Sequence, residues 1–175
     1  MLDEIDPINA ICFTGHRPDR LPGRGDPDDP EAQKLAASLQ TQIEDSVLRG
    51  KHNILHGAMA GFDLFAIEQA ILLKKQYPQI KIITVAPYKE AFFSREKCWT
   101  PEWINRARAV FDQHDIGIRI AERYRTGIYF ERNRALVEHS SEIITYWDGG
   151  SGGTAYTVEC GKRKGLAIYN LYQKR

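Results

Sequence analysis

Asn53-Ile54-Leu55-His56-Gly57-Ala58-Met59-Ala60-Gly61-Phe62-Asp63 is the stretch that decides the fold. Four residues of strand character run into a turn bounded by two glycines, and from Phe62 the hydrophobic period changes. Leu64, Ile67, Ile71 and Leu72 then recur at the spacing of one apolar helix stripe, until Pro78 ends the helix. A short apolar run, a glycine turn and a helix form the repeating unit of a parallel sheet covered by helices.

The same unit recurs on both sides of this stretch. Strands are expected at Ala10 to Phe13, Asn53 to His56, Lys81 to Ala86, Ile116 to Ala121, Glu142 to Trp147 and Ala167 to Leu171. Helices are expected from Pro30 to Gly50, Phe62 to Tyr77, Pro101 through Phe111, Tyr129 to Glu138 and Thr154 to Lys164. The fold class is therefore α/β. Residues 1–175 are expected to form a single Rossmann-like domain of three layers, with about six mainly parallel strands and helices on both faces. Two connections exceed simple turns: Gly15 to Asp29, rich in Pro, Gly, Asp and Arg, and Pro87 to Thr100, rich in aromatics. Both leave strands at the edge where open α/β sheets bind ligands.

Composition narrows the function. The net charge of +1, from 24 basic and 23 acidic residues, offers no global attraction for nucleic acid or an anionic membrane, so an anion site must be local. Cys12, Cys98 and Cys160 are odd in number and lack metal-ligand spacing, which reads as reduced thiols of a cytoplasmic protein with no metal site. The acidic start, Leu2-Asp3-Glu4, is unlike a signal peptide, and no apolar run is long enough to span a membrane. No cofactor is implied, and the oligomeric state stays open, a homo-oligomer included.

Three glycine-bearing turns follow three expected strands: Thr14-Gly15-His16-Arg17-Pro18, Gly57 through Asp63, and Gly149-Gly150-Ser151-Gly152-Gly153-Thr154. Glycine lets backbone approach a phosphate, and a helix that starts immediately afterwards offers N–H groups and the positive end of its dipole. The turns are expected to converge on one pocket. None has the Walker lysine or the full G-x-G-x-x-G spacing, which removes most support for kinase and dehydrogenase readings. Arg17 can grip a phosphate and His16 can donate a hydrogen bond to it. Asp63 can accept from ribose hydroxyls or simply compensate a helix dipole. Arg132 and Arg134, two apart on a helix, cannot share a face, so only Arg132 is expected to reach the site. Tyr88, Phe92, Phe93 and Trp99 can cover a base or tie their loop down.

Taken together, Thr14-Gly15-His16-Arg17-Pro18, the Gly57 to Asp63 turn, Arg132-Asn133 and Gly152-Gly153-Thr154 resemble the YpsA-like branch of the SLOG superfamily, over nearly the whole chain from Ile11 to Gly165. That superfamily includes the LOG phosphoribohydrolases and the DNA-processing protein DprA. The resemblance implies a Rossmann-like fold and a nucleotide-derived ligand, with Thr14, Gly15, His16, Arg17, Gly57, Ala58, Gly61, Asp63, Arg132, Asn133, Gly152, Gly153 and Thr154 as the binding set. In LOG enzymes an arginine and a glutamate close to the P-G-G-x-G-T loop support cleavage of an N-glycosidic bond. Arg132 matches that arginine, whereas Glu159 falls about one helical turn, roughly 5 Å, too far along. Arg132 and Glu159 are the weak catalytic candidates.

The leading expectation is a protein that binds or senses a nucleotide, ADP-ribose or an NAD derivative. The alternative is a phosphoribohydrolase-type N-glycosidase. Single-stranded DNA binding ranks third, disfavoured by the even charge balance.

Overall fold

The computed structural model describes residues 2–89 and 96–173. Six strands, β1 (Ala10–Gly15), β2 (Asn53–His56), β3 (Lys81–Tyr88), β4 (Ile116–Ala121), β5 (Glu142–Tyr146) and β6 (Ala167–Asn170), form one sheet in the order β4-β3-β2-β1-β5-β6. Every pairing is parallel. Five helices connect the strands: α1 (Pro30–Leu48), α2 (Phe62–Lys74), α3 (Pro101–Phe111), α4 (Ile128–Glu138) and α5 (Gly153–Lys164). This is the expected α/β Rossmann-like architecture. No helix among the described residues is long and apolar enough to cross a membrane.

Alternation along the central strands builds two cores. Ile11, Phe13, Ile54, Ile82 and Ile144 face Leu35, Leu39 and Ile43 of α1, Leu64 and Ile67 of α2 and Trp103 of α3. Cys12, Leu55, Ile83, Val85 and Ile143 face the opposite way and pack on Leu136 and Val137 of α4. Strands buried on both faces explain why β1 and β2 read as near-continuous apolar runs. The strand order reverses at β1, whose neighbours are β2 on one side and β5 on the other. That switch point opens a crevice at the C-terminal ends of the strands.

Element ends differ from expectation where a tertiary partner intervenes. β1 continues to Gly15 because β5 pairs with it as far as Gly15 opposite Tyr146. β5 stops at Tyr146 because the Trp147 amide turns to the Asn170 side chain. α2 ends at Lys74, three residues early, and Leu72 is 49% exposed, so its apolar stripe is narrower than the periodicity implied. The long connection after β1 folds into two short 3₁₀ turns, Pro18–Arg20 and Pro22–Gly25. Arg106 of α3 fastens it: its guanidinium stacks 3.8 Å from the Trp103 ring, donates to the Gly25 carbonyl at 2.8 Å and pairs with Glu68 of α2. β3 runs on past the expected Ala86 because Tyr88 still pairs with Ala121 of β4, so Tyr88 belongs to the strand and not to the second long connection; it packs against Tyr129 and Tyr124, and Trp99 joins the core under α3. Phe92 and Phe93 lie outside the described residues.

His56, at the end of β2, carries a polar group through the core. It is fully buried, with Nε2 2.8 Å from Thr84 Oγ1, while Nδ1 accepts the Ala58 amide at 3.2 Å. Burial holds the imidazole down to about 3, far below its usual 6.5. The folded protein keeps His56 neutral while the unfolded chain protonates it below 6.5, so this stabilisation is present above pH 6.5 and lost as pH falls toward 3. Chemical denaturation should therefore show about 2 kcal/mol less stability from this group at pH 5 than at pH 7. A His56→Gln variant should lack that part of the pH dependence. Equal pH slopes for the two proteins would show that His56 does not carry it.

Candidate functional site

The crevice beside β1 contains a cavity of about 260 Å³. Thr14, Gly15, His16 and Arg17 border it from β1 and the loop after it, Met59, Ala60 and Asp63 from the second turn, and Ser151, Gly152, Gly153 and Thr154 from the third. Arg132 and Asn133 of α4 complete that wall. The three glycine turns thus meet at one cavity. Gly57, Ala58 and Gly61 shape the second turn from behind the lining rather than forming part of it.

Direct hydrogen bonds tie the turns together. His16 N–H donates to the Tyr146 carbonyl at 3.2 Å, joining the ends of β1 and β5. Phe62 N–H, at the start of α2, donates to the His16 carbonyl at 2.9 Å. Thr154 Oγ1, at the start of α5, donates to the Gly15 carbonyl at 3.0 Å. Gly61 makes the second contact feasible: its φ is 106°, and a Cβ there would lie 2.8 Å from Arg17 Cα. Ala58 also takes a left-handed φ of 57°, held by its amide bond to His56.

Gly57 is gripped from both sides. Its N–H donates to Asp63 Oδ2 at 3.2 Å, and its carbonyl accepts from the Arg132 guanidinium. A side chain on Gly57 would occupy the space that guanidinium fills. Arg132 is buried and also donates from Nε to Asn133 Oδ1 at 2.9 Å, whereas Arg134 is exposed. Burial raises the Asp63 carboxyl above its ordinary range, against the pull of the Arg132 and Arg17 cations and the amides of Met59 and Gly57. Burial likewise lowers Arg132, with Asp63 opposing. These two residues hold the second turn in shape.

Behind the opposite wall, Asp148 follows β5 and accepts from the Gly150 amide at 3.0 Å and from the Arg20 guanidinium. The Gly150 amide first, with His16 and Arg20 adding to it, keeps its carboxyl below the usual range despite some burial. His16 Nε2 stands 3.1 Å from both the Asp148 amide nitrogen and Asp148 Oδ1, so Asp148 fixes the orientation of the ring. Burial, reinforced by Arg20 and opposed by Asp148, lowers His16 below its ordinary value and keeps it neutral. Arg17 pairs with Glu96 at 3.3 Å, both side chains about two-fifths exposed. α1 and α3 are capped by Asp29 and Thr100, but α2 and α5, which begin at the site, have no side-chain cap. The Phe62 and Leu64 amides of α2 are taken by the His16 and Met59 carbonyls, so it is at the start of α5 that a ligand anion can take that role.

Glu159 lies on the solvent side of α5 beside Arg163, 3.7 Å away, and does not border the cavity. Reasoning from sequence missed Asp19, Arg20, Glu96, Trp147 and Asp148. The usable signal was position: Trp147 and Asp148 follow a strand at the ligand-binding edge, and Arg20 lies in the long loop leaving β1.

The family model described as the YspA SLOG family, YpsA, matches residues 11–169. Among curated relatives, the SPbeta prophage-derived protein YoqJ of Bacillus subtilis is 25% identical over 77% of this chain and 84% of its own. YpsA of the same species is 24% identical over 81% of this chain and 77% of its own. Among solved structures, DNA processing protein A from Helicobacter pylori, described by its single-stranded DNA binding mode, superposes with a TM-score of 0.64 at 19% identity, over 99% of this chain and 68% of that one. DprA from Streptococcus pneumoniae superposes with a TM-score of 0.59 at 15% identity, and this chain spans about half of it (51%).

The Gly61 geometry yields a direct test. Gly61→Ala places a methyl group against the loop after β1 at a backbone conformation alanine resists. It should cost at least about 1–3 kcal/mol, read from the denaturation midpoint. A midpoint unchanged from wild type would mean that the contact between the two turns is not required.

Proposed function

Because the chain belongs to the YpsA SLOG family, we propose that it binds or senses a nucleotide or nucleotide-derived ligand, of the class of AMP, ADP-ribose or an NAD derivative, without cleaving it. The observation that carries this reading is the meeting of three glycine turns and two uncapped helix starts around one cavity that Arg17, Arg20 and His16 border. The ligand's phosphate sits at the start of α5, where Arg17 exchanges Glu96 for it and His16 borders it. Asn133 takes the ribose hydroxyls. Residues 1–175 act as one nucleotide-binding domain, in the cytoplasm, where the free thiols Cys12, Cys98 and Cys160 stay reduced.

The non-cleaving reading is supported by the placement of two carboxylates, Glu159 and Asp63, while Asp19 borders the cavity from the loop after β1. Proton transfer needs hydrogen-bond reach of the reacting atoms or one intervening water. Glu159 is off the cavity, and Asp63 is engaged with the Gly57 amide. Single-stranded DNA binding is the second reading, favoured by Tyr124, 64% exposed, between the exposed Arg123 and Arg125.

Calorimetric titration of AMP and ADP-ribose tests the proposal. Arg17→Ala should weaken binding by about 1.5–3 kcal/mol, the range for a hydrogen bond to a charged group. Chromatography after incubation with AMP should detect no free base above the uncatalysed background. Free base whose release Glu159→Ala abolishes would establish an N-glycosidase instead. Oligonucleotide binding that weakens steeply with salt while AMP fails to bind would put the DNA reading first.

A further inference from the structure

Resting on the nucleotide reading above, we infer that Trp147 is the platform on which the ligand's base stacks, so that the site selects a planar nitrogenous base and not merely a sugar phosphate. Sites that enclose a whole drug-sized ligand measure about 300–1,000 Å³. This cavity, at about 260 Å³, is smaller, so a nucleotide seated by its phosphate leaves the base against the wall. Among the described residues, the Phe, Tyr and Trp side chains that border the cavity are Phe13 and Trp147. Phe13 is fully buried, with its ring edge-on to Phe62, and belongs to the core. Trp147 is half-buried.

The ring is already immobilised. Indole Nε1–H donates to the Gly150 carbonyl at 2.7 Å. The Trp147 amide donates to Asn170 Oδ1 at 3.1 Å, and its carbonyl accepts from Asn170 Nδ2 at 2.8 Å. Two consequences follow. With its single donor engaged, the indole offers a ligand only π-surface, which suits a base and not a phosphate or a hydroxyl. With backbone and ring both held, little side-chain freedom remains to be lost on binding. Trp147 also immediately precedes Asp148, which is bonded to His16 and Arg20, so the platform's loop is tied directly to the anion-facing groups of the loop after β1. Phe130 and Tyr156, which meet edge to face with ring centroids 4.8 Å apart, do not border the cavity.

The test is titration of the full chain with AMP and with ribose 5-phosphate. Wild type should prefer AMP. Trp147→Ala should lower AMP affinity about 5- to 150-fold, the range for losing one base–aromatic stack, while ribose 5-phosphate still binds. Trp147→Phe should keep most of the preference. AMP, but not ribose 5-phosphate, should quench a tryptophan signal that Trp147→Phe removes. An unchanged AMP preference in Trp147→Ala, or equal loss of both ligands, overturns the stacking role and leaves phosphate binding standing. Failure of wild type to bind either compound overturns the nucleotide reading, and the platform falls with it.

Discussion

The site depends on the hydrogen bond from Phe62 N–H to the His16 carbonyl, made across Gly61. It brings the start of α2 onto the loop leaving β1, and only a residue without Cβ permits so close an approach. Once that contact forms, the neighbouring bonds from His16 to Tyr146 and from Thr154 to Gly15 join β5 and α5 to the same point. Four chain segments then hold one another at the switch point of the sheet. The cavity is what remains between them.

Charges around the cavity divide into those that build it and those that can be exchanged. Arg132 and Asp63 brace the Gly57 peptide, and removing either leaves a buried charge or a backbone group unpaired. Arg17 and Glu96 are different. Their exposed pair is worth about 0–1 kcal/mol, whereas a phosphate hydrogen bond to a charged group is worth about 1.5–3 kcal/mol. On the proposed reading, a phosphate displaces Glu96 without disturbing the frame, and a local site of this kind needs almost no net charge on the chain.

The neutral His16 belongs to the same economy. Its Nε2 stands 3.1 Å from both the amide nitrogen and Oδ1 of Asp148, which orients the ring. Burial and Arg20 work against the protonated ring and outweigh Asp148, which favours it.

Strand and helix positions, the parallel order and the meeting of three glycine turns at one edge were legible in the amino-acid order. They follow from hydrophobic period and turn chemistry, which act between near neighbours. The facing of Arg132 rather than Arg134 was legible for the same reason, since two residues two apart on a helix point apart. The partner Arg132 meets was not: it binds the carbonyl of Gly57, 75 residues away, and supports the turn. Nor did local pattern place Trp147 on the cavity wall and Asp148 behind it, because Asn170, His16 and Arg20 hold them there across separations of 23, 132 and 128 residues. Periodicity determines which face a side chain takes, but what it touches depends on segments brought together only by the assembled sheet.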